Sequence, residues 1–217
     1  MTTGYPERIV CLTEETTEWL YLLGQSHRIA GISGYTVRPK EARHEKPRVS
    51  AFTSAKIDKI LTLKPDCVFG FSDLQADIAA QLIRHGVQVT VFNQRSVDEI
   101  FSMLYQVAAM VGFASQGLQR IEAMQQHLQA IKAQSKTFAK RPKVYFEEWD
   151  EPIISGIQWV SELVEIAGGQ DIFPELAAEP LAKNRILLSD AIPPRATEVI
   201  LASWCGKKVV ASRISGR

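Results

Sequence analysis

Residues 96–137 read SVDEIFSMLYQVAAMVGFASQGLQRIEAMQQHLQAIKAQSKT and lie inside a proline-free run from Asp66 to Arg141. Ser96 suits an N-cap, Glu99 three residues on completes a capping box, and Ile100, Met103, Leu104, Val107 and Met110 recur on one helical face. The pattern breaks over Gly112 to Ser115. A second helix, 115–137, carries Leu118, Ile121, Leu128 and Ile131 at helical spacing and stops before Lys140-Arg141-Pro142. Its roughly 22 residues would span about 33 Å at 1.5 Å per residue, the width of a small domain. A helix of that length can hold two lobes at fixed separation; the same pattern also fits a core helix of one large domain.

Upstream, strands are predicted at Arg8 to Leu12, Arg28 to Ser33, Asp66 to Phe71 and Val87 to Phe92. Helices separate them: Thr13 to Gly24, with Thr13 as cap and Glu14 and Glu15 in the first turn, then Lys56 to Leu63, then Leu74 to His85 closed by Gly86. Arg38 to Arg48 is polar, flanked by prolines and without periodicity. Four strands alternating with helices imply a mostly parallel, doubly wound sheet. In such sheets ligands collect beyond the carboxyl ends of the strands, which here means Thr13-Glu14, Gly34-Tyr35, Ser72-Asp73 and Asn93-Gln94, with Phe52 adding a ring from a nearby loop. This lip has no GxGxxG, no Walker loop and no nucleophile elbow.

Downstream, a strand at Lys143 to Glu148 leads directly to Trp149-Asp150-Glu151-Pro152. An amphipathic helix follows at Ile157 to Ala167, closed by Gly168-Gly169, and a strand at Glu198 to Ser203 ends in Trp204-Cys205-Gly206. Trp149 and Trp204 are thus expected just past strand ends and Trp159 at a helix entry, positions where large rings suit a flat, partly apolar ligand or serve as lids on the core. The organisation predicted is an α/β lobe over 1–95, connecting helices over 96–140, and a second α/β lobe over 141–217 that shows only two strands.

The 217 residues are 46% hydrophobic and 23% charged, enough for one or two proper cores. A net charge of +1 argues against a nucleic-acid surface. The amino-terminal residues show no basic start and no apolar core of a signal peptide, so the sequence as written predicts a cytoplasmic protein, or a periplasmic or extracellular one whose signal has been removed. Cys11 and Cys67 fall inside apolar strands and read as small buried hydrophobes; Cys205 sits in a turn. His27, His44, His85 and His127 do not converge, so no metal site is expected. Glu147, Glu148, Asp150 and Glu151 invite comparison with a paired-carboxylate hydrolase, but strand alternation sends Glu147 and Glu148 to opposite faces and no activated nucleophile accompanies them.

Arg8-Ile9-Val10-Cys11-Leu12, Ile29-Ala30-Gly31-Ile32-Ser33-Gly34-Tyr35 and Pro47-Arg48-Val49-Ser50-Ala51-Phe52, with the phrase Lys56 to Asp66 around Leu63-Lys64-Pro65-Asp66, resemble the helical-backbone substrate-binding proteins of ABC importers. The vitamin B12-binding branch is most similar. Ile153-Ile154-Ser155-Gly156 and Ile166-Ala167-Gly168-Gly169-Gln170-Asp171-Ile172-Phe173 extend the resemblance over the second lobe. It implies a non-catalytic binder holding a corrinoid such as cobalamin, or a ferric siderophore or haem, in a cleft between lobes that flex little. Tyr35 and Phe52 match positions where the family sets rings against the corrinoid, Phe52 standing where tryptophan is frequent. Asp58 and Asp190 match acidic residues that dock onto an ABC permease, where glutamate is usual. Family members continue beyond the point matching Arg217, so an incomplete second lobe, with self-association through its uncovered strand Glu198 to Ser203, is also expected.

Overall fold

The computed structural model describes residues 4–204 and 207–214, which leaves Cys205 and Gly206 outside the described residues. The chain forms two compact units, Met1–Gln94 with Ile100–Ile121 and Arg95–Glu99 with Glu122–Arg217.

In the first unit β1 (Ile9–Cys11), α1 (Glu14–Leu22), β2 (Ile29–Ser33), α2 (Ala42–Glu45), β3 (Arg48–Ser50), α3 (Ile57–Thr62), β4 (Cys67–Phe71), α4 (Ala76–Arg84) and β5 (Val89–Phe92) follow one another along the chain. Their strands make one wholly parallel sheet in the order β3-β2-β1-β4-β5. Among the described residues the expectation of four strands is corrected to five. The additional strand, β3, has three residues of which Val49 alone is fully buried, too short and too polar to show a period against the flanking Pro47. Central strands read as continuous apolar runs because helices cover both faces of a parallel sheet. Val10, Leu12, Val68, Ile60, Ile78 and Leu82 form that core. Cys11 and Cys67 are fully buried in adjacent strands, and burial pushes both thiols up to about 12, consistent with inert packing residues.

The helical run divides as read. α5 spans Val97–Met110, α6 spans Ala114–Ser135, and Gly112 turns between them at φ +82°. The capping box forms reciprocally: the Ser96 N–H donates to Glu99 Oε2 at 3.0 Å and the Glu99 N–H to Ser96 Oγ at 3.2 Å. Those backbone donors, Arg95 N–H first and Ser96 N–H second, hold the Glu99 carboxyl below the usual range. A Cβ at Gly117 would meet Ala108 Cβ at 2.3 Å, so a side chain here would push α6 off α5. Among the described residues no helix is long and apolar enough to cross a membrane.

The second unit contains β6 (Lys143–Asp150), β7 (Ile153–Ser155), α7 (Gln158–Ile166), β8 (Gln170–Asp171), α8 (Pro174–Ala177), β9 (Ile186–Leu187) and β10 (Val199–Ala202). The sheet runs β10-β6-β7-β9, with β8 also on β6. It is mixed: β10 and β8 are parallel to β6, whereas β7 is antiparallel to both β6 and β9. Among the described residues the expected two strands are therefore five, three of them only two or three residues long. Trp149 and Asp150 lie inside β6 rather than beyond it, because the strand continues through a register shift between Glu147 and Trp149. Tyr145, Ile172, Phe173, Leu187 and Ile192 make the core.

Candidate functional site

Because every strand of the first sheet is parallel, the residues after β1, β2, β3, β4 and β5 share one edge, and the strand order changes direction between β1 and β4. That is where open parallel sheets bind ligands. The loops there are tied together by Gln75, which is fully buried. Its Nε2 donates to Leu12 O at 3.3 Å and Phe52 O at 2.9 Å, while its Oε1 accepts from the Phe71 N–H at 2.9 Å. One side chain thus fixes the exits of β1 and β4 and the loop after β3. Sequence reading missed it, since a glutamine in a helical pattern resembles a solvated position. Gly70 permits the arrangement: a Cβ there would meet Gln75 Oε1 at 3.0 Å.

The expected site residues fall into two groups. Tyr35 is 45% exposed and Phe52 half-buried, its ring 6.3 Å from that of Phe71. Gly34 lets the β2 exit approach the next strand, donating its N–H to Ser50 O at 2.7 Å where a Cβ would sit 3.0 Å from the same oxygen. Asp73 is exposed. Thr13 and Ser72, by contrast, serve the fold. Thr13 stands at the N-cap of α1 but its side chain makes no cap bond; it is buried, its carbonyl accepting the Thr16 and Thr17 hydroxyls. Ser72 is buried at φ +55° with its Oγ capping Leu74 N–H at 3.2 Å. A non-glycine residue held at positive φ is strained, and this one lies at the exit of β4, within the candidate site.

Polar groups at this edge have unused capacity. Glu14 Oε1, Thr36 Oγ1 and Gln94 Oε1 are buried and lack a hydrogen-bond partner among the described residues. Gln94 Nε2 donates to Glu15 Oε1 at 3.2 Å. Burial first, and then the neighbouring Glu15 charge, pushes the Glu14 carboxyl above its usual range. Burial likewise pushes Glu15 up, against the pull of its own backbone N–H and of Thr13 and Gln94. Such acceptors in low dielectric are stabilised by N–H donors and oppose a second carboxylate.

In the second unit the three tryptophans separate. Trp204 is buried, its Nε1 donating to Glu147 Oε1 at 3.0 Å, which makes it a lid on the core rather than an open ring. Trp149, half-buried, donates to Glu151 O at 2.8 Å and carries the Lys207 ammonium 4.2 Å from its ring centre. Trp159 is exposed on the first turn of α7, its backbone N–H donating to Arg95 O at 2.9 Å. The acidic cluster does not converge on a substrate: Glu147 accepts from Tyr145 OH and Trp204, whereas Glu148 pairs with Arg185 at 2.7 Å. Asp58 lies in the first turn of α3 and Asp190 in a short 3-10 turn, both exposed. Among the described residues no group of three or more His, Cys, Asp or Glu could hold a metal ion.

Comparison with known proteins gives a consistent picture. A family model described as "Periplasmic binding protein" matches residues 9–216. The vitamin B12-binding protein of Vibrio parahaemolyticus serotype O3:K6 is 26% identical over 175 residues, 79% of this chain and 63% of that protein. That of Yersinia pestis (strain Pestoides F) is 26% identical over 174 residues, 78% of this chain and 61% of its own. The chain thus spans somewhat under two thirds of these relatives. Among solved structures, the periplasmic vitamin B12 binding protein BtuF of Vibrio cholerae superposes with a TM-score of 0.75 at 25% identity, covering 91% of this chain and 76% of that one. A periplasmic haem-binding protein of Pseudomonas aeruginosa superposes at 0.81 with 17% identity, over 97% and 76%, a likeness of fold.

Proposed function

Because the chain belongs to the periplasmic binding protein family, we propose that it is a non-catalytic substrate-binding protein that takes up a corrinoid of the cobalamin type and hands it to an ABC importer. The observation that carries the ligand choice is the set of buried, unpartnered oxygen acceptors Glu14 Oε1 and Gln94 Oε1, which lie on the same carboxyl edge of the first sheet as Tyr35 and Phe52. A corrinoid presents primary amides around a flat macrocycle: the amides supply N–H donors and the macrocycle suits aromatic faces. Haem presents carboxylates at its edge, which Glu14 and Glu15 would repel. Ferric siderophores call for cationic lining, which Glu14, Tyr35 and Phe52 do not supply. Glu14, Gly34, Tyr35, Phe52 and Asp73 are the first-unit residues assigned to the ligand. Thr13 and Ser72, both buried, hold the loops that carry them. Asp58 and Asp190 are the assigned permease contacts, and the working location is outside the cytoplasmic membrane, as for the periplasmic relatives.

Absorbance-monitored equilibrium dialysis against cobalamin, cobinamide, haem and a ferric hydroxamate tests the choice. Retention of cobalamin and cobinamide, weakened by Glu14→Lys, is expected. Retention of haem alone would overturn the corrinoid reading and favour the haem binders of the same fold.

A further inference from the structure

The polar segment 38–48, which the ligand site above does not use, builds a cavity of its own. α2 and the proline-led start of β3 present Arg43, Lys46 and Arg48, and the chain then folds back on itself. Ser50 and Ala55 form an isolated antiparallel bridge and the Lys56 N–H donates to Val49 O at 2.9 Å, which brings Lys56 and the first turn of α3 alongside β3. Among the described residues β3 is an edge strand, with no further strand beyond it. The result is a cavity of about 700 Å³ whose lining includes Arg43, Lys46, Arg48, Lys56 and Lys59 and no aspartate or glutamate.

These charges are uncompensated. Among the described residues Arg43, Lys46, Arg48 and Lys56 form neither an ion pair nor a side-chain hydrogen bond, and Lys59 spends its ammonium on Arg48 O at 2.8 Å. Several basic groups elsewhere do find an acidic partner, among them Arg28 with Glu7, Arg141 with Glu165, Arg185 with Glu148, and Lys207 with Asp150. On a chain whose net charge is only +1, five cations on one cavity are a local concentration of like charge, and an anion entering it relieves their repulsion. A further donor waits in the same lining: Ser50 Oγ is buried and unpartnered. Guanidinium forks, ammonium groups and a hydroxyl are the donor set that tetrahedral oxyanions use. The volume falls within the ordinary range of small-ligand cavities, roughly 300–1,000 Å³, and exceeds what one phosphate fills.

We propose that this cavity along the outer edge of β3 binds an anion of the phosphate class, held by Arg43, Arg48 and Lys56 with Ser50 as neutral donor. The phosphate groups come either from a free phosphoanhydride or from the phosphodiester of a corrinoid bound at the neighbouring loops, since Gly34 and Ala51 of the lining precede Tyr35 and Phe52. The proposal does not depend on the corrinoid reading. Isothermal titration with inorganic pyrophosphate, without any corrinoid, should show binding that weakens as salt is raised and falls by roughly tenfold or more in Arg48→Gln/Lys56→Gln. Arg84→Gln, an exposed arginine outside the cavity, should bind as the parent does. If pyrophosphate fails to bind but the double variant weakens cobalamin and not cobinamide, which lacks the phosphodiester, the site stands and its anion belongs to the corrinoid. Absence of both effects, in variants whose circular dichroism and melting match the parent, overturns the site. Pyrophosphate binding with no retention of any corrinoid would leave the site standing and the proposed function refuted.

Discussion

The two sheets solve the same packing problem with different chemistry. In the first, β1 and β4 are apolar and buried apart from the half-buried Phe71, and the side chain that ties the loops together, Gln75, is neutral. In the second, the central strand β6 carries Glu147, Glu148 and Asp150, and each finds a separate partner: Trp204 and Tyr145, Arg185, and Lys207 with Arg213. Apolar burial is non-directional, so the first sheet is specified by its hydrophobic pattern, whereas the second depends on charged pairs that stabilise only when complete.

The largest effect should therefore come from breaking a pair in the second unit. Arg185 is 2% exposed, forks onto both Glu148 oxygens at 2.7 and 3.3 Å, and also donates to Ser155 O. Arg185→Ala leaves a carboxylate and a carbonyl facing no donor and should destabilise this unit by about 3–5 kcal/mol. Urea unfolding followed by tryptophan emission reads it well, because Trp149, Trp159 and Trp204 belong to this unit and Trp19 to the other. A variant as stable as the parent would break the comparison.

The matching change in the first unit is milder. Gln75→Leu keeps the volume but strands Leu12 O, Phe52 O and the Phe71 N–H. Leaving buried backbone groups unpaired costs about 1–3 kcal/mol, with some recovered by water at a loop edge. Differential scanning calorimetry should show a smaller loss than for Arg185→Ala, together with weaker ligand retention because three site loops lose their common tie.

The same contrast explains what was legible in the sequence. β1, β2 and β4 are mainly apolar runs, β5 alternates and the Ser96/Glu99 box is a local signal, so each is legible to within a residue or two. What escaped depends on partners far along the chain. β6 runs on to Asp150 because Lys207 and Arg213, 57 and 63 residues away, neutralise that carboxylate, and no local pattern announces it. β7, β8 and β9 are too short to show a period. At the proposed site, Tyr35 and Glu14 follow from strand ends and topology, and Phe52 from its loop. Gln75 and the basic cavity did not, since one looks solvated and the other joins two stretches that only the Ser50 to Ala55 fold-back brings together.

Acid should move the two units in opposite directions. Glu14 and Glu15 have carboxyls raised above the unfolded value, about 4.3, so the folded first unit takes up protons earlier than the unfolded chain. Its stability rises as pH falls from their raised folded values to that unfolded value. Asp150 is lowered, chiefly by its hydrogen bond from Lys207, so its contribution to the second unit is present above the unfolded value of about 3.9 and is lost as pH falls through the lower folded one. Melting curves in a pH series on the parent and on Glu14→Gln should show the first-unit gain flattened in the variant while the second-unit loss persists. Parallel shifts of both units would blur the distinction.

The smallest effect on stability, and the most telling about β10, belongs to Ile200→Lys. Val199, Ile200 and Leu201 are 38%, 36% and 45% exposed, so three consecutive residues of a strand with a two-residue period are open, and neither face is covered. Among the described residues β10 pairs with β6 alone, which makes it an apolar edge, the kind of surface that templates association with another strand. Ile200 lies opposite Tyr145 in register, yet its own side chain is open, so a lysine can extend into solvent without entering the core. The substitution should therefore change unfolding stability by no more than about 0.5 kcal/mol while lowering the self-association expected of the parent by light scattering at high concentration. Unfolding of the second unit would show instead that β10 is covered in solution, and an unassociated parent would mean that the edge is guarded by its own twist and its short four-residue length rather than by a partner.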